Sequence, residues 1–206
     1  MKQAILIIAA IVFIPFLGNA QENKLVFGLK AGAIYSNVYD SQGEAFNTDS
    51  KFGFTTGLFL TIPLGNKIAF QPEFLFAQRG FKATGKILGS TYSFTRTTSY
   101  LDVPLLFAFK PIELLTVVAG PQYSYLAQQK DVFAAGSTTV LQEEEFQNDN
   151  LRKNILGFVG GIDINLNDTV IGARVGFDAQ NNNGNGTATT PRYKNVWAQM
   201  TFGLRL

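Results

Sequence analysis

Residues 161–178, GIDINLNDTVIGARVGFD, decide how this chain must be read. The stretch is rich in Ile, Val and Gly, yet Asp163, Arg174 and Asp178 interrupt it. Asp163, Asn165 and Asp168 lie close enough in sequence to suggest a metal loop. An EF-hand calcium loop, however, needs about twelve residues, an internal Gly and a distal bidentate Glu, and these are missing. Parity gives a better account. Ile162, Ile164 and Leu166 alternate with Asp163 and Asn165; Ile171, Ala173, Val175 and Phe177 alternate with Gly172, Arg174, Gly176 and Asp178. Successive side chains of a strand point to opposite faces, so this is a hairpin with a greasy face and a wet one, turning at Asn167–Asp168. Counted from that turn, Asp163 and Arg174 stand nearly level on the wet face and are expected to pair.

The same period of two recurs along the chain. Val196, Ala198, Met200, Phe202, Leu204 and Leu206 oppose Asn195, Trp197, Gln199, Thr201, Gly203 and Arg205. Equivalent sorting succeeds over 25–36, 54–62, 68–77, 101–110, 115–125 and 156–166. The phase is noisier in the fourth of these runs, and Phe59, Leu106 and Leu114 are apolar on the wet side. Eight strands and no convincing helix after residue 20 follow.

Alternation fits a soluble barrel with its apolar side inward or a membrane barrel with that side outward. The second face decides. It carries small Gly and Ala beside Lys30, Glu73, Arg79, Asp102, Lys110, Asp163, Arg174, Asp178 and Arg205. A face meeting bulk water should hold long polar side chains; frequent Gly suits a cramped interior. The connections agree. Short links at Leu64–Asn66, Pro111–Ile112 and Asn167–Asp168 alternate strictly with long ones near 38–50, 80–91, 128–153 and 180–192. Short periplasmic turns and longer external loops are the outer-membrane pattern, which puts both termini on the periplasmic side. Aromatics fall near strand ends in two groups: Tyr35, Phe52, Phe54, Tyr123, Tyr125 and Phe177 toward one rim, Phe27, Phe70, Phe109 and Phe202 toward the other, as membrane interfaces favour.

Composition narrows the chemistry. The chain has 206 residues, 16% of them charged, where a soluble domain averages about a quarter. Net charge is +2 with the signs interspersed, so nothing suggests nucleic acid. Cys and His are both absent, which removes disulfides, thiol and imidazole metal ligands, and His-dependent catalysis. Residues 1–20 read as a cleavable signal peptide: Lys2, an apolar run from Ala4 to Leu17, then Gly18-Asn19-Ala20 before Gln21. Residues 21–206 form the barrel domain.

KLVFGLKAGAIYSN, FGFTTGLFLTIPL, IAFQPEFLFAQRGFK and above all SYLDVPLLFAFKP at 99–111 carry a family likeness. With these segments the chain resembles the PorT-like outer-membrane β-barrel family of Gram-negative bacteria, across essentially its whole mature length. The resemblance implies an eight-stranded antiparallel up-and-down transmembrane β-barrel. Some relatives are linked to protein secretion across the outer membrane, and no functional residue is carried over.

An eight-stranded barrel is just wide enough for side chains to fill. The inward charges named above nearly balance, so they are expected to form a structural salt-bridge network that plugs the lumen, with a narrow pore or ion path as the rival and a soluble lipocalin-like binder as the third reading. Pro72, Pro104 and Pro121 fall inside strands, where each removes a ladder donor, and bulges are expected there. The acidic Glu143–Glu145 stretch, with Asp149 nearby, reads as a solvated loop, and the polar 180–190 segment is the kind of exposed loop where partner recognition would reside. No catalytic, metal or cofactor site is assigned. The expected partners are outer-membrane lipid, the barrel-assembly machinery during insertion, and envelope or secretion proteins through external loops; the barrel is expected to be a monomer.

Overall fold

The structure, a computed structural model, describes residues 24–39, 48–87, 90–135, 138–144, 151–183 and 192–206. The expected leader at 1–20 lies outside them, as do Glu145 and Asp149 of the acidic loop and 184–190 of the polar one.

The described residues form nine strands: β1 (Val26–Tyr39), β2 (Thr48–Pro63), β3 (Ile68–Ile87), β4 (Ser90–Ile112), β5 (Leu115–Ala135), β6 (Thr138–Glu144), β7 (Asn154–Leu166), β8 (Thr169–Asp178) and β9 (Lys194–Arg205). Eight of them close into one antiparallel ring. Each pairs with its chain neighbour, β5 passes over β6 to pair with β7, and β9 returns to β1. Closure leaves the ring no free edge, which is what a spanning sheet requires in lipid. β6 lies outside the ring and pairs only with Gln129–Ala135 of β5.

Burial follows parity. In β8, Gly172, Arg174, Gly176 and Asp178 are buried while Ala173, Val175 and Phe177 are exposed. In β1 the buried residues include Lys30 and Ser36, and the exposed ones Phe27, Leu29 and Tyr35. The usual order of a soluble protein is reversed, with charges inside and large apolar side chains outside. Phe52, Phe107, Val175 and Met200 are each more than 60% exposed. So continuous an apolar outer surface is stable only against an apolar solvent, and a bilayer supplies it.

The sequence reading differs from the structure in three places. The β4–β5 turn is Glu113–Leu114, not Pro111–Ile112, because Ile112 still pairs with Leu115. The register runs unbroken past Pro72, Pro104 and Pro121, each of which keeps its cross-strand partner (Leu105, Gln122 and Phe158). Bulges occur instead at Ser50/Thr55, Ser99/Tyr100 and Phe109/Ile112. The missing proline donors open local gaps in the ladder, which a sheet paired on both sides spans without slipping. Finally, the described residues of 80–91 and 128–153 are largely strand. Gly80–Ile87 pairs with Ser90–Thr97 as a long hairpin, and β5 runs on to Ala135. An extra residue near Ala127 flips the inward set of β5 from Gln122, Ser124 and Leu126 to Gln129, so the alternation breaks where the strand does not.

Candidate functional site: the charged interior

Seven of the nine residues expected to line the lumen are buried: Lys30, Glu73, Arg79, Asp102, Asp163, Arg174 and Asp178. They fall into two clusters. In the first, Glu73 Oε1 accepts hydrogen bonds from Lys30 Nζ, Arg174 Nη1 and Gln71 Nε2, all at 2.8 Å. Arg174 Nη2 also donates to both oxygens of Asp163, at 2.9 and 3.2 Å. Two cations meet two anions, so the group is neutral. β3 and β8 stand four places apart in a ring of eight, so the Glu73–Arg174 bond crosses the full width of the lumen. Gly172 leaves the space for it: a Cβ there would lie 2.8 Å from Asp163 Oδ1 and 2.6 Å from Thr201 Oγ1.

The second cluster lies one step toward the long hairpins. Arg79 pairs with Asp102, and its guanidinium stands 3.7 Å from the Trp197 ring centroid and 4.8 Å from that of Tyr100. Desolvated cation–π contacts of this kind contribute about 2 kcal/mol. Asn195 donates to Tyr100 Oη (3.3 Å) and, through its backbone N–H, to Asp178 (3.2 Å). Asp178 therefore joins through an amide rather than through contact with a cation.

Each end has its own polar layer. Toward the hairpins, Arg96 grips Asp131 with two hydrogen bonds, at 2.8 and 2.6 Å, and donates to Tyr193 Oη at 3.2 Å. Phe81 packs edge-on against Tyr193, with ring centroids 5.4 Å apart. Burial pushes the Tyr193 phenol up, the nearby Arg96 charge opposing the shift, so it stays neutral. Toward the short turns, Arg205 donates to the Asn167 carbonyl at 2.9 Å and to Asn165 Oδ1. Asn165 in turn donates to Thr116 Oγ1 at 2.9 Å. Lys110 differs from expectation: near the end of β4 it is exposed at the rim. A cavity of about 290 Å³ lies between this rim and Lys30 and Asp163.

The alternation lists Trp197 on the wet face, yet its role as a platform for Arg79 is not readable there, since the two are 118 positions apart (197 − 79). Arg96 and Asp131 lie in segments without apolar alternation and carry no such signal. Asp163, Asn165 and Asp168 do not converge. The first is bound to Arg174, the second to Thr116 and Arg205, and the third is exposed in the turn.

Charges turned inward, an apolar exterior and a closed ring of eight strands define a small membrane-spanning β-barrel. Residues 19–191 match the family described as outer membrane protein beta-barrel domain, and the chain belongs to that family; it is an outer-membrane protein. No curated protein matches it significantly. Among solved structures it is similar to Ail, the attachment invasion locus protein of Yersinia pestis (14% identity, 89% of this chain and 100% of that one, TM-score 0.46). It is likewise similar to Neisserial surface protein A (12%, 89% and 100%, TM-score 0.47) and to OprG from Pseudomonas aeruginosa (14%, 88% and 95%, TM-score 0.40).

Proposed function

We propose that this is a non-catalytic outer-membrane barrel of PorT-like type with a plugged lumen, structural or adhesive in role or accessory to an envelope or secretion complex. The Glu73–Arg174 bond across the barrel diameter carries this reading. With Lys30, Gln71 and Asp163 gathered on the same two side chains, it occupies the cross-section that a solute would need. The side chains gathered there neutralise one another, and the arrangement offers no nucleophile paired with a base.

In this reading residues 1–20 are a leader removed on export and both termini face the periplasm, because the short turns lie at the end where the chain enters and leaves the ring. The long β3–β4 hairpin and the β5–β6 pair then stand outside the cell, where contact with other proteins or surfaces takes place. Planar-bilayer recording of the refolded mature chain tests the plug. The expected trace is silent; reproducible channels of uniform conductance would establish the rival reading, a narrow pore.

A further inference from the structure

We infer that the short-turn end of the lumen is a dead-end binding site for a small anion, a carboxylate or a phosphate, entering from the periplasm. The inference rests on the plug and orientation proposed above. The cavity there has a volume of about 290 Å³ and ends at the buried Lys30. Among the described residues lining it, Lys30, Lys67, Lys110 and Arg205 are cationic and Asp163 alone is anionic. Asp163 already binds Arg174 with both oxygens, so it answers none of those four by contact.

The cations are differently placed. Lys30 donates one hydrogen bond, to Glu73, although an ammonium has three to give. Lys67 and Lys110 are held side by side, with the backbone N–H of Lys110 bonded to the Lys67 carbonyl at 2.8 Å. Neither forms an ion pair among the described residues. Arg205 spends its hydrogen bonds on Asn165 and the Asn167 carbonyl, both neutral, while the charges of Asp163 and Asp168 act on it from a distance. With Lys30 paired to Glu73, the excess of positive charge comes from Lys67, Lys110 and Arg205, and low-dielectric walls focus its field on the space between them. The volume sits just below the range for small-molecule pockets, about 300–1,000 Å³, which suits one compact anion and not a polymer. The Thr61 and Thr116 hydroxyls on the same walls supply neutral hydrogen-bonding groups.

NMR titration of the mature protein in nanodiscs tests this, with citrate and inorganic phosphate as probes and glycerol as a neutral control. Saturable shifts are expected at Thr61, Thr116 and Gly203, with none from glycerol. The double variant Lys67→Gln/Lys110→Gln should weaken binding by about tenfold, about 1.4 kcal/mol, since it removes two exposed charge contacts. Arg96→Gln, at the opposite end, should leave it unchanged. Tighter binding of citrate points to a carboxylate ligand, and of phosphate to a phosphorylated one. Absence of saturation with both probes, shifts centred on the hairpin end, or affinity untouched by the double variant would overturn the site. Conductance recorded on the same preparation keeps the readings apart: channels count against the plug, failed saturation against the anion site.

Discussion

Arg174 is the side chain on which the interior turns. It holds Glu73 and Asp163 together, and replacing it with methionine leaves Lys30 alone against two buried carboxylates. Breaking a buried pair on one side costs about 3–5 kcal/mol, most of it the penalty of the charge left behind. Arg174→Met should therefore lower the unfolding free energy by about that amount in urea titrations in lipid, and Asp163→Asn added to it should recover part of the loss. A change under about 1 kcal/mol would show that water, not protein, solvates the cluster. The Asp163–Arg174 contact is legible in the sequence because a tight turn sets the local register. The Glu73–Arg174 contact is not, because 101 residues separate the pair and only ring closure brings β3 opposite β8.

Among elements, the β3–β4 hairpin divides into two parts with different physics. Up to Gln78 its outward side chains sit at the level of the apolar belt, paired near Leu101 and Tyr100. Beyond Ala83 it pairs only with itself and with the upper part of β5. Around and above this level the outward parity turns polar, at Lys82, Thr84, Thr95 and Thr97, so apolar alternation stops and the segment reads as a loop. The upper half of β5 is hidden for another reason, a single bulge that reverses the phase. The prolines mislead in the opposite sense, since a strand bonded on both sides tolerates a missing donor without a shift in register. Shortening the hairpin by replacing Thr84–Ser93 with a two-residue turn should leave the barrel intact. The measurement is heat-modifiable migration in detergent, and the shortened protein should keep the fast-migrating folded form at wild-type yield. Loss of that form would mean that the hairpin nucleates the ring.

At the scale of the molecule, the eight-stranded count and the identity of the inner face follow from the sequence, because period two, small residues and charge all mark the same parity. What is not legible is how the interior divides into layers. Pairing across the lumen depends on strand stagger, which no local pattern encodes. All of this requires that lipid cover the apolar parity and that the charged parity face a closed interior. The chain has no Cys, so single-cysteine spin labels can be placed along β9 one at a time. Electron paramagnetic resonance in lipid bilayers then reads the collision rate of each label with dissolved oxygen, which concentrates in the hydrocarbon. High oxygen accessibility is predicted at Ala198, Met200 and Phe202, and low accessibility at Gln199, Thr201 and Gly203, a clean alternation along the strand. Uniform accessibility, or alternation with the opposite phase, would contradict it.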